Sequence, residues 1–153
     1  MLVNEYFQKI EFQIADCIYI VETSLVKDKR SLHIGIIEGE LFFTDESRLY
    51  FIEFVNVKET IEVYKYSYHY QDRNSDLIFR YDMAPHHQKI KTFPHHKHIH
   101  SNNVIEASIP ACDQGFAFVP NPGFQETPRL ILGVPIHFDT LKTIKRHYVP
   151  VKN

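Results

Sequence analysis

Between Cys17 and Asp82 the chain is a run of strand-like segments joined by short polar connections. Parallel strands need a crossover of about a dozen residues or more, whereas antiparallel neighbours can be joined by a tight turn. This stretch is therefore read as an antiparallel meander rather than a βαβ fold. Cys17 to Val26 is rich in β-branched residues and reads as a strand, with Lys27–Arg30 as a polar turn. Leu32–Ile37 reads as a second strand. Glu38-Gly39-Glu40 is expected to turn into a short third one at Leu41–Phe43, and Thr44–Ser47 turns again. Arg48–Val57 is the longest strand. Alternation puts Leu49, Phe51, Glu53 and Val55 on one face, with Tyr50, Ile52, Phe54 and Asn56 on the other. Lys58–Glu62 is read as a connection or one helical turn. Tyr64–Gln71 then alternates, with Tyr64, Tyr66, Tyr68 and Tyr70 on one side. Asp72–Asp76 is a loop, and Leu77–Asp82 is the returning strand.

Upstream, Val3, Phe7, Ile10 and Ile14 form one apolar helical stripe, which predicts a helix over Asn4–Asp16. The expected fold class is α+β: an N-terminal helix packed on a mostly antiparallel sheet of about five to six strands. The 153 residues suffice for one core. Residues 1–105 are read as a single α+β domain, and residues 106–153 as a C-terminal extension packed on it. That tail is irregular and Pro-rich, since six of the eight prolines lie in it. Leu130–Val134 reads as a strand and Phe138–His147 as a short helix. The tail could cover the sheet or swap onto a second copy, giving a homodimer.

A hydrophobic share of 44 % with 24 % charged residues is ordinary for a globular protein and does not suggest disorder. The formal net charge of −2 gives no global basic field, so any nucleic-acid site must be local. Cys17 and Cys112 form no CxxC and read as reduced thiols in a cytoplasmic protein. There is no basic segment followed by an apolar run at the N-terminus, and no apolar run of ~18 residues, so neither a signal peptide nor a membrane span is expected.

Glu53 stands in an apolar row. A buried carboxylate is costly unless paired, so it should meet a cation such as Arg80, face a polar cleft, or lie at a solvated rim. If the 64–82 hairpin closes symmetrically, Tyr68 lies opposite Arg80 and Tyr66 opposite Asp82, although a slip of one residue would reverse every side chain. Tyr66 and Tyr68 could then stack bases beside cations, or simply form an amphipathic surface.

Six of the ten histidines fall between His86 and His100, as His86-His87 after Pro85, His95-His96-Lys97-His98 after Pro94, and His100. Imidazole is the side chain whose ordinary pKa lies nearest neutrality, so it moves protons and ligates metals. Three readings stand side by side. One is a zinc or other divalent metal site, although no HExxH or CxxC spacing is present. The second is metal-free acid–base chemistry on a phosphodiester, with Arg80 and Lys97 as cations. The third is a loop of surface imidazoles.

The run YKYSYHYQ…LIFRYDMAPHH…KTFPHHKH resembles the small prokaryotic toxins of TumE-type toxin–antitoxin systems. The resemblance rests on Phe79-Arg80-Tyr81-Asp82, Ala84-Pro85-His86-His87 and Phe93-Pro94-His95-His96-Lys97-His98, and on the spacing of Gly39, Leu41, Asp45, Leu49 and Glu53. It covers about residues 35–105. Met83 stands where the family pattern has Asn. The resemblance implies a toxin encoded beside a winged-helix DNA-binding antitoxin. The side chains themselves suggest a metal-independent endoribonuclease acting on RNA. Its catalytic candidates are Glu53, Arg80, Asp82, His86, His87, His95, His96, Lys97 and His98, with Tyr66 and Tyr68 as substrate-binding candidates and no resident cofactor. The alternative is a non-enzymatic, His-rich module that binds a metal or a partner.

Overall fold

The computed structural model describes residues 1–99, 103–107, 116–119 and 129–132. One helix, α1 (Val3–Ala15), precedes seven strands: β1 (Ile20–Lys29), β2 (Ile34–Phe43), β3 (Arg48–Asn56), β4 (Glu62–Gln71), β5 (Leu77–Asp82), β6 (His96–Ile99) and β7 (Asn103–Glu106). They form one antiparallel sheet in chain order, β1 to β7. A separate antiparallel pair joins β8 (Phe116–Val119) to β9 (Arg129–Leu132). The α+β expectation therefore holds, with the two extra strands supplied by the segment on either side of residue 100. The strand at Leu130 is found. The helix expected over 138–147, and the packing of the tail on the domain, lie outside the described residues.

α1 forms because its apolar residues recur once per turn. Glu5 accepts a hydrogen bond from the Leu2 N–H at 2.6 Å, which places a negative charge in the first turn. Val3, Tyr6, Phe7, Ile10 and Ile14 are buried against the sheet. Each such apolar side chain removed from water contributes about 1.5–3 kcal/mol before ordering costs.

Three local expectations need correction. First, Lys27–Lys29 continue β1, and the turn lies at Arg30–His33, where Ser31 Oγ accepts from the His33 and Ile34 N–H groups at 3.2 and 3.0 Å. Second, Glu38-Gly39-Glu40 is no turn. β2 runs straight through it, because Glu38 and Glu40 project to one face while Gly39 leaves room on the other for Phe51 and Leu25. A Cβ on Gly39 would lie 2.4 Å from the Phe51 ring and 2.6 Å from Leu25. Third, Tyr64 leaves the tyrosine row. A bulge moves the β3–β4 register from Phe54↔Lys65 to Val55↔Val63, so Tyr64 turns to the opposite face, 46 % exposed. There it meets the Phe54 ring edge-on and accepts a 2.7 Å hydrogen bond from Asn56.

The hairpin between β4 and β5 decides where the chemistry sits. Asp72 Oδ1 accepts from the Asn74 and Asp76 N–H groups, closing the expected loop with Gln71 opposite Leu77. A bulge then shifts the pairing by one, to Tyr70↔Phe79, His69↔Arg80, Tyr68↔Tyr81 and Ser67↔Asp82. The expected Tyr68↔Arg80 and Tyr66↔Asp82 pairs do not form. Side chains alternate along a strand, so this single extra residue sends Arg80 and Asp82 to the face away from α1.

Candidate functional site

Strands β5 and β6 pair Arg80 with His98 and Asp82 with His96, so all four side chains share the sheet face away from α1. The β5–β6 connection brings His86 and His87 over the same place. The site is thus built from two strand ends and the loop between them.

Asp82 is its centre. It is 6 % exposed, and its oxygens are all engaged. Arg80 Nε donates to Oδ2 at 2.8 Å, His96 Nε2 lies 2.9 Å from Oδ1, and the Ala84 N–H donates to Oδ1 at 3.1 Å. Arg80 also donates through its NH2 group to His98 Nε2 at 2.9 Å. Guanidinium offers no acceptor, so His98 Nε2 holds a lone pair and its proton is on Nδ1. Burial, reinforced by the nearby Arg80 charge, pushes the His98 pKa down to about 4, so His98 is neutral at pH 7.

His96 is 1 % exposed. Its Nδ1 lies 2.9 Å from the Pro94 carbonyl, which can only accept, so Nδ1 carries a proton. Its Nε2 therefore faces Asp82 from one side and His86 Nε2, at 3.2 Å, from another. A bare lone pair aimed at a carboxylate is repulsive, so this nitrogen calls for a cation, either a proton or a metal. His86, His87, His96 and His98 each offer a donor atom, and these atoms all lie within 4.8 Å of one another. An open pocket on the loop is lined by His86, His87, Gln88, Lys89 and Ile90.

The remaining predicted residues lie elsewhere, and Glu53 does not meet Arg80 as expected. Glu53 is 0 % exposed on the α1 side and meets no cation among the described residues. Two phenols satisfy it: Tyr6 donates to Oε2, and Tyr68 to Oε1 at 2.6 Å. Tyr66 packs beside Tyr68 on that same face. Its hydroxyl reaches His95 Nδ1 at 3.2 Å, and the two rings are parallel. Burial, and next the neighbouring His96, lower the His95 pKa. Lys97, pointing opposite to its histidine neighbours, lies over the Phe79 and Tyr81 rings at 5.1 and 4.9 Å. His100 lies outside the described residues.

Two residues beside the site, His69 and Thr92, lie inside the family-like run but are not among the predicted site residues. His69 stands opposite Arg80; burial first, then the Arg80 and Arg48 charges, lower its pKa. Its buried Nε2 has no hydrogen-bond partner among the described residues. Alternation alone could have placed His69 opposite the tyrosines, but only the β5 bulge brings Arg80 to it. Thr92 Oγ1 donates to the His95 carbonyl and accepts from the Ala107 N–H, tying the loop to the end of β7.

The motifs that build this centre lie within residues 10–119, the span over which the chain matches the family model described as Toxin TumE. The chain belongs to the TumE toxin family. Membership makes it a toxin-family protein of a toxin–antitoxin system, with an antitoxin as its partner. No curated protein and no solved structure matches it. No helix among the described residues is long and apolar enough to cross a membrane.

Proposed function

We propose that this TumE-family toxin is an endoribonuclease that cleaves RNA by metal-independent acid–base chemistry at the Asp82-centred site. The observation that carries the reading is the convergence of Arg80 and His96 on one buried carboxylate, with His86 against His96. The attacking group is the 2′-hydroxyl of the RNA. His86, exposed at the pocket, takes its proton as the 2′-oxygen bonds to phosphorus, and His87 stands beside it. The P–O5′ bond breaks, and His96, protonated and braced by Asp82 and the Pro94 carbonyl, gives a proton to the leaving 5′-oxygen. The products are a 2′,3′-cyclic phosphate and a 5′-hydroxyl. Arg80 meets the charge that develops on the phosphoryl oxygens, and His98 holds the guanidinium in place. Tyr66 orients His95 at the start of β6, while Glu53 and Tyr68 brace the sheet beneath. Lys97 takes no part in the proton transfers.

In this reading the toxin works in the cytoplasm and is silenced by a winged-helix DNA-binding antitoxin. The test is incubation of the purified chain with RNA in excess chelator, with analysis of the product ends. Cleavage leaving cyclic phosphate, abolished in His86→Ala, is expected. Intact RNA, or ends bearing 5′-phosphate, would overturn the reading and leave the non-enzymatic alternative of metal or partner binding.

A further inference from the structure

The four imidazoles crowd their donor atoms around one point beside a carboxylate. His98 Nε2 is committed to Arg80, and His96 Nδ1 to the Pro94 carbonyl. That leaves His96 Nε2 and His86 Nε2 facing each other at 3.2 Å, beside a carboxylate oxygen 2.9 Å from His96. One proton can bridge only one of these gaps, whereas a divalent cation can serve several lone pairs at once.

The geometry points to a zinc site formed by His86, His87, His96 and His98, whose occupation switches off the ribonuclease chemistry proposed above. Zinc binds imidazole nitrogens at about 2.0–2.1 Å, which spaces the ligand atoms of a tetrahedron by about 3.3–3.4 Å. The His86–His96 separation of 3.2 Å already fits this spacing. The widest separation in the group is 4.8 Å, and its closure needs about 1.5 Å of movement. His86 and His87 belong to a connecting loop, so that movement breaks no strand pairing. His96 and His98, two residues apart in β6, project to the same side.

His96 makes the outer contact that a metal-bound histidine uses. The Pro94 carbonyl fixes the tautomer of His96 and turns Nε2 inward. Asp82, held by Arg80, adds negative charge at the cluster. Ligation through His98 Nε2 would replace its bond from Arg80. A donor set dominated by imidazole nitrogen suits zinc and other late first-row ions, whereas magnesium and calcium prefer oxygen. The switching half rests on the ribonuclease reading. An imidazole nitrogen bonded to zinc cannot accept or give a proton, so the loaded site loses both its base and its acid.

The experiment uses the full chain, stripped with chelator and titrated with zinc chloride against a chromophoric competitor. One zinc per chain is expected, and cobalt(II) in its place should give the intense visible absorption of a tetrahedral site. Losing an outer-shell partner of a metal ligand typically costs about 10–100-fold in affinity. His86→Ala and His87→Ala, whose side chains lie in the loop, should therefore weaken zinc at least that much while melting like the parent. Absence of stoichiometric binding, or binding indifferent to both substitutions, overturns the site. RNA cleavage is read on the same samples. Cleavage by the stripped chain that fades as zinc is added supports the switch, and cleavage that needs zinc or ignores it overturns the switch. If zinc binds and neither form cleaves RNA, the ribonuclease reading and the switch both fall, and the zinc site stands on the titration alone.

Discussion

Histidines of one short segment here play different parts because their surroundings differ. His86 is exposed in a loop, so His86→Ala should change stability by no more than about 0.5 kcal/mol. If it is the base, RNA cleavage should slow by roughly 10²–10⁴. Full cleavage by a well-folded His86→Ala protein would remove it from the mechanism. His96 cannot be treated the same way, since it is buried in β6 against Asp82. Asp82→Asn leaves Arg80 and His96 without their shared carboxylate. Removing one partner of a buried pair costs about 3–5 kcal/mol, and partial solvation of Arg80 puts the loss near the lower end, about 3 kcal/mol. Urea melts of Asp82→Asn and the parent check this, and equal midpoints would contradict it. Acid should also destabilise the metal-free protein. The folded His98 pKa is about 4, below the ordinary histidine value of 6.5. The unfolded chain therefore takes up this proton first as pH falls. Stability from this group is complete above pH 6.5, declines as pH drops toward 4, and levels off below. Thermal melts across that range should follow the decline, and His98→Gln should flatten it.

At the scale of elements, two bulges and one glycine set the architecture. Glu38-Gly39-Glu40 has the composition of a turn, yet tertiary contacts extend it. Gly39 is where Phe51 and Leu25 close over the strand, so Gly39→Ala should destabilise by about 1–3 kcal/mol despite alanine's lower backbone entropy cost. A variant that melts above the parent would show that the neighbours yield freely. The bulge before Phe79 has the larger functional consequence. Without it, Arg80 and Asp82 would face α1 beside Glu53, as the symmetric hairpin predicts. With it, they meet the β6 histidines, and Glu53 must be satisfied by Tyr6 and Tyr68 instead. Arg80→Ala accordingly leaves Glu53 fully partnered, and its stability cost falls on Asp82.

For the whole molecule, a ligand that binds only the folded state stabilises it by mass action. Zinc at one hundred times its dissociation constant should add about 2.7 kcal/mol, so the melting temperature of the stripped chain should climb steadily with zinc. The rise should vanish in the His86→Ala, His87→Ala double variant. A melting temperature independent of zinc in the parent would speak against a site that depends on the fold.

The sequence by itself determined the α+β class, the helix stripe and the antiparallel order. These follow from periodicity and from connections too short to allow anything else. It also marked the histidine segment, Arg80 and Asp82, because their chemistry is unusual at that density. It could not decide which side chains meet. A single unpaired residue in β5 reverses the face of everything beyond it, and no local propensity distinguishes that bulge from the regular hairpin. Nor could it tell that Lys97 and Glu53 stand apart from the histidines. Facing in a sheet is fixed by pairing with distant strands and by the burial that this pairing permits, which only the folded chain supplies.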